Sequence, residues 1–132
     1  MFEQVRLRGL AAVAAVAALG LGGHAEARDL TVVSWGGSYQ DAQREVYFDP
    51  FQEATGTALL EDSYNGGLAK IRSMVQTDTV TWDVVQVEAP ELVRGCQQGL
   101  FEFIPWDKIG DRSNFIEGAA TDCGVGTIVW AI

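Results

Sequence analysis

The residues with the clearest capacity for ligand chemistry form one short stretch, Trp35, Gly36, Gly37, Ser38 and Tyr39. The face of a Trp ring attracts a cation, whereas backbone N–H groups at a helix start attract an anion. Glycines also let a ligand approach the backbone closely. The stretch therefore predicts a surface for a small charged ligand, with the second aromatic residue adding a contact.

The elements around this stretch predict where it lies in a fold. Residues 30–34 are apolar and rich in β-branched side chains, which indicates a strand, and the glycine pair indicates a tight turn. Ser38 and Asp41 have the spacing of a capping box, so we expect the helix to begin there. In an open α/β sheet, ligands bind beyond the carboxyl ends of the strands. Two alternatives stay open, namely that Trp35 is a core residue and that the glycines serve only the turn.

Composition and charge exclude several other functions. The chain is 48% hydrophobic and 20% charged, which is typical of a globular protein, and its net charge of −9 argues against nucleic-acid binding. The one histidine, His24, lies in the segment that we predict to be removed, so a Ser-His-Asp relay and a His-based metal site are both excluded. Ser38 lies in GGSYQ rather than in a G-x-S-x-G elbow. We therefore expect no enzyme activity, no metal and no cofactor.

The amino terminus has the pattern of a secretory signal peptide. Arg6 and Arg8 precede an apolar run over residues 10–21, and Ala25 and Ala27 are the small residues of a cleavage site. We predict a signal peptide over residues 1–27 and a mature protein in the periplasm. The alternative, a membrane anchor, needs roughly 20 apolar residues.

Two cysteines, Cys96 and Cys123, remain in the mature chain. Disulfides persist in exported proteins, and the spacing fits no CxxC redox or zinc pattern. We expect one structural disulfide; two separate thiols are the alternative.

The remainder of the chain alternates between strand and helix patterns. A helix is predicted to restart at Asp49-Pro50 and to end at Gly56, with Tyr47, Phe48 and Phe51 on its buried face. Further strands are predicted over residues 57–62 and 82–87, the latter covered on both faces, each followed by a helix. This order predicts an α/β fold with a parallel sheet and right-handed crossovers.

The pattern loosens after residue 100. Residues 107–122 are predicted to be a loop with at most one helical turn, and a further strand is predicted to begin at Gly124. The chain ends inside that apolar run, from which we expect it to be the front portion of a longer protein.

Taken together, the chain resembles the amino-terminal lobe of an extracellular solute-binding protein of the spermidine/putrescine type, the receptor of an ABC importer. The resemblance covers nearly all of the mature chain in the order that the family shows. It is carried by the segments SWGGSY (34–39), DPF (49–51), ATG (54–56), WDVV (82–85), GLFE (99–102) and CGVGT (123–127).

The resemblance implies a two-lobed periplasmic binding protein of class II type that closes on its ligand. Residues 28–132 would be an incomplete parallel-sheet lobe that ends at the start of a hinge strand, and the protein would act as a monomer with a membrane permease. Trp35 and Tyr39 correspond to aromatic residues that line a polyamine site. After the third strand the chain departs from the pattern, because it has Glu88 in a loop where the polyamine receptors place a Ser and a Tyr. Glu88 either pairs with an ammonium group or serves as a helix-start acid.

We therefore expect a small amine such as putrescine or spermidine as the ligand, because Glu88 and the net charge agree with a cation. The alternative is a zwitterionic amine or amino acid such as γ-aminobutyrate, which would satisfy both the Trp face and the glycine N–H groups. A third interpretation is that the truncated chain has no function by itself.

Overall fold

The structure is a computed structural model that describes residues 29–128. The predicted signal peptide with its cleavage site and the last four residues of the predicted final strand lie outside the described residues. Within the described range, no helix is long and apolar enough to cross a membrane.

The described residues are organised around a parallel three-stranded sheet in the order β2-β1-β3. Its strands are β1 (Leu30–Ser34), β2 (Leu59–Ser63) and β3 (Val84–Val85). Ser34 is the register partner of Ser63, and Val33 is the partner of Val85, so the carboxyl ends of all three strands lie at one edge. The predicted α/β fold with a parallel sheet is confirmed.

Helices connect and cover these strands. They are α1 (Gly37–Gln43), α2 (Asp49–Thr55), α3 (Ala69–Gln76), α4 (Ala89–Gln97) and α5 (Trp106–Ile109), with a π turn at Arg44–Phe48 and a 3-10 turn at Arg112–Asn114. Residues 107–122 contain most of α5 and also the 3-10 turn, so the prediction of at most one helical turn in this segment is wrong.

The predicted helix restart at Asp49 is also wrong, because α1 continues through the π turn into α2. Asp49 has helical backbone angles, and its N–H donates to the carbonyl of Arg44, five residues earlier. Pro50 follows directly and has no N–H to donate, so the wider turn accommodates it without ending the helix. Gly56 ends the helix with a φ of 70°, as predicted.

The core is small and centres on β1. Val33 is fully buried, and Val32, Phe48, Ile71 and Met74 are also buried. Tyr47 and Phe51 are instead 48% and 40% exposed, so of these three aromatic residues Phe48 alone is buried. Val84 is 52% exposed rather than covered on both faces, since β3 is an edge strand of the described sheet.

The predicted disulfide between Cys96 and Cys123 is confirmed, with a Cα–Cα distance of 5.8 Å. It joins the end of α4 to the loop that precedes Gly124. The strand predicted to begin at Gly124 does not form within the described residues, where the segment makes a single antiparallel bridge between Val125 and Ala120.

Candidate ligand-binding site

The turn after β1 places Trp35 and Tyr39 at the carboxyl edge of the sheet. Gly36 and Gly37 have φ values of 72° and 58°, a left-handed conformation that side chains other than glycine rarely adopt. The chain therefore passes from strand to helix within these two residues. The sequence therefore predicts the position of this turn correctly.

The predicted capping box of Ser38 and Asp41 is wrong. The N-cap residue is Gly36, which has no side chain with which to cap the helix, and the helix begins at Gly37. Ser38 consequently lies exposed inside the first turn. The Asp41 carboxylate instead accepts a hydrogen bond of 2.8 Å from Nη1 of Arg44, one turn further along.

Trp35 and Tyr39 contact each other rather than forming two separate walls. Their ring centroids are 5.5 Å apart and the ring planes are inclined by 27°, an offset-stacked arrangement. Both residues are half-buried. The structure thus brings together two of the predicted site residues as one aromatic surface at the start of α1.

Two buried glutamines of α1 hold the turn in place through hydrogen bonds. Gln40 accepts a hydrogen bond of 3.0 Å from the N–H of Gly36 and donates one of 2.9 Å to Glu61 on β2. Gln43 accepts from Oγ of Ser34 at 2.5 Å and donates to Gln86 at 3.1 Å. The sequence analysis missed these residues, although two amides three positions apart on one helix face were an available signal.

Tyr64 is a second residue that the sequence analysis did not select. It directly follows β2, as Trp35 follows β1, and its N–H donates to the carbonyl of Ser34 at 2.9 Å. Its hydroxyl donates to the carbonyl of Gln86 at 2.6 Å, and its ring meets the edge of Trp82 with centroids 5.2 Å apart. The signal for it in the sequence was its position just after the predicted second strand, since the ends of parallel strands meet at one edge of a sheet.

The environment of Tyr64 shows which charged groups face the site. Burial raises the pKa of Tyr64 to about 12; the Glu91 and Glu88 carboxylates raise it too, and a side-chain hydrogen bond with Trp35 lowers it. Burial and nearby negative charge both disfavour a phenolate. Tyr64 is thus a partly buried phenol whose pKa is also raised by the carboxylates at the start of α4.

Glu88 is exposed at the N-cap of α4, where it forms a capping box with Glu91. The Glu91 carboxylate accepts from the N–H of Glu88 at 3.3 Å and from the N–H of Gly67 at 2.8 Å. Glu88 thus has the helix-start role that the sequence analysis left open, at a position close enough to Tyr64 to raise its pKa.

A polar cavity of about 310 Å³ adjoins the glycine turn. It is lined by Gly36, Gly37, Gln40, Asp41, Arg44, Glu61, Asp62 and Ser63. Arg44 bonds Glu61 at 2.7 Å, which lowers the pKa of Glu61 and raises that of Arg44. Arg44 and Glu61, the main charged groups that line the cavity, therefore pair with each other. Trp35, Tyr39 and Glu88 do not line the cavity.

The described residues hold no group of three or more His, Cys, Asp or Glu side chains suited to a metal ion.

Known proteins provide a comparison for this arrangement. No protein-family model matches the chain. Over all 132 residues it is 42% identical to a gamma-aminobutyric acid-binding protein of Pseudomonas aeruginosa, of which it spans 36%. The chain thus corresponds to about a third of the length of that relative.

Two solved structures show the same fold. A periplasmic binding protein from A. tumefaciens R10 in complex with agropinic acid matches 74% of this chain and 30% of its own, with 39% identity and a TM-score of 0.68. A structure described as a GABA receptor matches 75% of this chain and 30% of its own, with 35% identity and a TM-score of 0.69. The described part of the chain therefore has the parallel α/β lobe fold of the periplasmic binding proteins to which it is similar.

Proposed function

We propose that this chain supplies the first lobe of a periplasmic receptor for a small zwitterionic amine such as γ-aminobutyrate, serving an ABC importer. The observation that carries the proposal is the stacked pair of Trp35 and Tyr39 at the carboxyl edge of the sheet, directly beside the start of α1. Ligands of open α/β sheets bind at this edge.

The aromatic pair supplies the contact for the ammonium group. A cation over the face of a Trp ring is stabilised by about 2 kcal/mol or more when the contact excludes water. Tyr39 extends the surface on which the aliphatic part of the ligand would lie, because its ring is nearly parallel to that of Trp35.

The start of α1 suits the carboxylate of the same ligand. Its N-cap residue, Gly36, has no capping side chain, and the glycines at positions 36 and 37 place no side chain over its first turn. A helix start of this kind favours an anion. A zwitterion would use both the aromatic face and the helix start, whereas a polyamine would use only the former.

The ligand that the sequence analysis ranks first, a polyamine, now takes second place. The relative with 42% identity is named for γ-aminobutyrate, as is one of the two solved structures. Glu88, which together with the net charge favoured a polyamine, is engaged in the capping box of α4. A polyamine stays a second candidate, because Glu88 and Glu91 both lie near Tyr64 and a second ammonium group could approach them.

The remaining assignments belong to the same proposal. Residues 1–27 serve as a cleaved signal peptide, and residues 28–132 form a lobe that ends where a hinge strand begins. The protein works as a monomer that delivers its ligand to a membrane permease. In this scheme Trp35, Gly36, Gly37, Ser38, Tyr39 and Glu88 face the ligand from the first lobe.

Calorimetric titration of γ-aminobutyrate, putrescine and spermidine tests the proposal, using the protein encoded by the complete reading frame. We expect γ-aminobutyrate to bind most tightly. Trp35→Ala should weaken its binding by at least about thirtyfold, the equivalent of a desolvated cation–π contact. Tyr47→Ala, which removes an exposed aromatic residue elsewhere on the helix, is the matched control and should bind normally.

Two further arms separate the alternatives. Glu88→Gln should weaken the binding of putrescine more than that of γ-aminobutyrate, because only the former has a second ammonium group. The 132-residue chain alone should bind at least about a thousandfold more weakly than the complete protein, since one lobe cannot enclose a ligand. Unchanged affinity of Trp35→Ala for γ-aminobutyrate would show that this residue is not part of the site. Tighter binding of putrescine than of γ-aminobutyrate by the wild type would reverse the proposed order of the ligands.

A further inference from the structure

We propose that Glu91 is a positioning residue, whose carboxylate fixes the loop after β2, residues 64–68, as one wall of the ligand site. The proposal rests on the function proposed above and deepens it. The position of this wall sets the length of the ligand that the site accepts.

The two oxygens of the Glu91 carboxylate bond two different loops. Oε1 accepts a hydrogen bond of 2.8 Å from the N–H of Gly67, which lies 24 positions earlier in the loop after β2. Oε2 accepts one of 3.3 Å from the N–H of Glu88, the N-cap residue of α4. A capping box requires only the second of these bonds. The bond from Gly67 is therefore an additional contact, and it ties the loop after β2 to the start of α4.

A second hydrogen bond ties the same loop to the end of β3. The hydroxyl group of Tyr64 donates to the carbonyl of Gln86 at 2.6 Å. Since β1 lies between β2 and β3 in the sheet, both ties cross the end of the central strand. The loop is thus held at Tyr64 and at Gly67, with Asn65 and Gly66 between these two points.

The tied loop lies beside the point where Trp35 leaves β1. The N–H of Tyr64 donates to the carbonyl of Ser34, the residue directly before Trp35, at 2.9 Å. On the other side of β1 the N–H of Gln86 donates to the carbonyl of Val33 at 2.8 Å. The loop and the aromatic pair therefore share the carboxyl edge of the sheet, and a ligand on Trp35 has this loop at its side.

The loop after β2 depends on these ties because packing does not hold its middle. Gly66 and Gly67 have φ values of 80° and 85°, and a Cβ built on either residue meets no atom within 4 Å. Glycine also has more conformational freedom than any other residue. Without the Glu91 carboxylate the loop can move outward, and a ligand must order it on binding. That cost corresponds to about a three- to tenfold loss of affinity.

A wall that is held in place discriminates between ligands of different length. One additional methylene group is rejected by about tenfold or more in a pocket that does not yield. The wild type should therefore prefer γ-aminobutyrate to δ-aminovalerate, its homologue with one more methylene group. If the wall yields in Glu91→Ala, this preference should fall by at least about threefold, since the longer ligand gains room.

The first test examines the tie without ligand, in the protein encoded by the complete reading frame. In NMR spectra the backbone amide resonance of Gly67 should shift and exchange faster with water in Glu91→Ala. The change should be smaller in Glu91→Gln, which keeps one acceptor oxygen. Glu53→Gln, at an exposed position of α2, is the control and should leave the resonance unchanged. An unaltered Gly67 resonance in Glu91→Ala would overturn the proposal, whatever the ligand is.

The second test is calorimetric titration of γ-aminobutyrate and δ-aminovalerate, with thermal unfolding measured in parallel. Glu91→Ala should bind γ-aminobutyrate about three- to tenfold more weakly and lose part of the preference for it, with Glu91→Gln between this variant and the wild type. Loss of helix capping alone would lower the unfolding temperature and weaken both ligands by the same factor. Equal weakening of both ligands would therefore overturn the proposal.

The ligand assignment and the role of Glu91 fail separately in these experiments. If Trp35→Ala binds γ-aminobutyrate normally while Glu91→Ala alters the preference, the proposed aromatic contact is wrong and the wall is supported. If the wild type prefers putrescine, the comparison is made between putrescine and its longer homologue cadaverine. Equal weakening of these two diamines in Glu91→Ala would again overturn the role of Glu91.

Discussion

Gln43 donates a hydrogen bond of 3.1 Å from Nε2 to Oε1 of Gln86, which joins α1 to the segment after β3 beneath the Trp35 turn. Its own Oε1 accepts from Oγ of Ser34 at 2.5 Å, and both Gln43 and Ser34 are buried. Thr127 also donates to Gln86, at 3.3 Å. A chain of hydrogen-bonded polar side chains therefore links Ser34, at the end of β1, to Thr127.

Replacement of Gln43 should destabilise the protein because its partners lose their hydrogen bonds in a buried setting. We expect Gln43→Leu to lower the free energy of unfolding by about 1–3 kcal/mol. Denaturant unfolding measures this, with Gln97→Leu on the exposed end of α4 as the control. Equal stabilities of the two variants would show that the network contributes nothing.

The acid stability of the protein should depend on Glu61. The hydrogen bond from Arg44, followed by that from Gln40, holds its pKa below the ordinary 4.5. A lowered folded-state pKa stabilises the protein above pH 4.5, and this contribution is lost as the pH falls through the folded-state value. Glu61→Gln should therefore be less stable than the wild type at pH 7 and lose less stability on acidification.

Urea unfolding from neutral to acidic pH gives the measurement for Glu61. Glu45→Gln, at an exposed position of the π turn, is the matched control and should follow the wild-type curve. If Glu61→Gln and the wild type lose the same unfolding free energy on acidification, the assignment of this ion pair is contradicted.

Loss of the disulfide should have a larger effect than either substitution. Cys96 and Cys123 are 27 positions apart, and closing a loop of this length contributes about 3.5 kcal/mol on the chain-entropy estimate. The double variant Cys96→Ser/Cys123→Ser should lose about that much in unfolding experiments. Reductant should destabilise the wild type and leave the variant unchanged; insensitivity of the wild type would show that the bond does not form.

Gly95 should not tolerate a side chain. It is buried in α4, and a Cβ built on it overlaps the ring of Phe101. Gly95→Ala should therefore destabilise the protein by about 1–3 kcal/mol, although Ala is the better helix former. Adding Phe101→Leu should restore part of the loss, because it removes the overlapping ring atoms. If Gly95→Ala is as stable as the wild type, the packing of Phe101 on α4 is wrong.

The sequence by itself determined the local turns and the class of the fold. Gly36, Gly37 and Gly56 are found where the predicted turn and helix end require a left-handed backbone. The alternation of strand and helix patterns likewise predicted a parallel sheet, and the cysteine pair predicted its disulfide. The turns are fixed by the conformational preferences of a few neighbouring residues, and the disulfide follows from the two cysteines that the predicted mature chain contains.

Only the tertiary structure decided which residues surround the site. Tyr64 and Gln86 lie 22 positions apart, and they meet across the end of β1 because three parallel strands end in register. The exposure of Val84 likewise depends on which strand lies at the edge of the sheet. Glu88 was predicted as either a ligand contact or a helix-start acid, and its pairing with Glu91 follows from where α4 begins. Such contacts depend on strand order and register, which a local pattern of residue types does not encode.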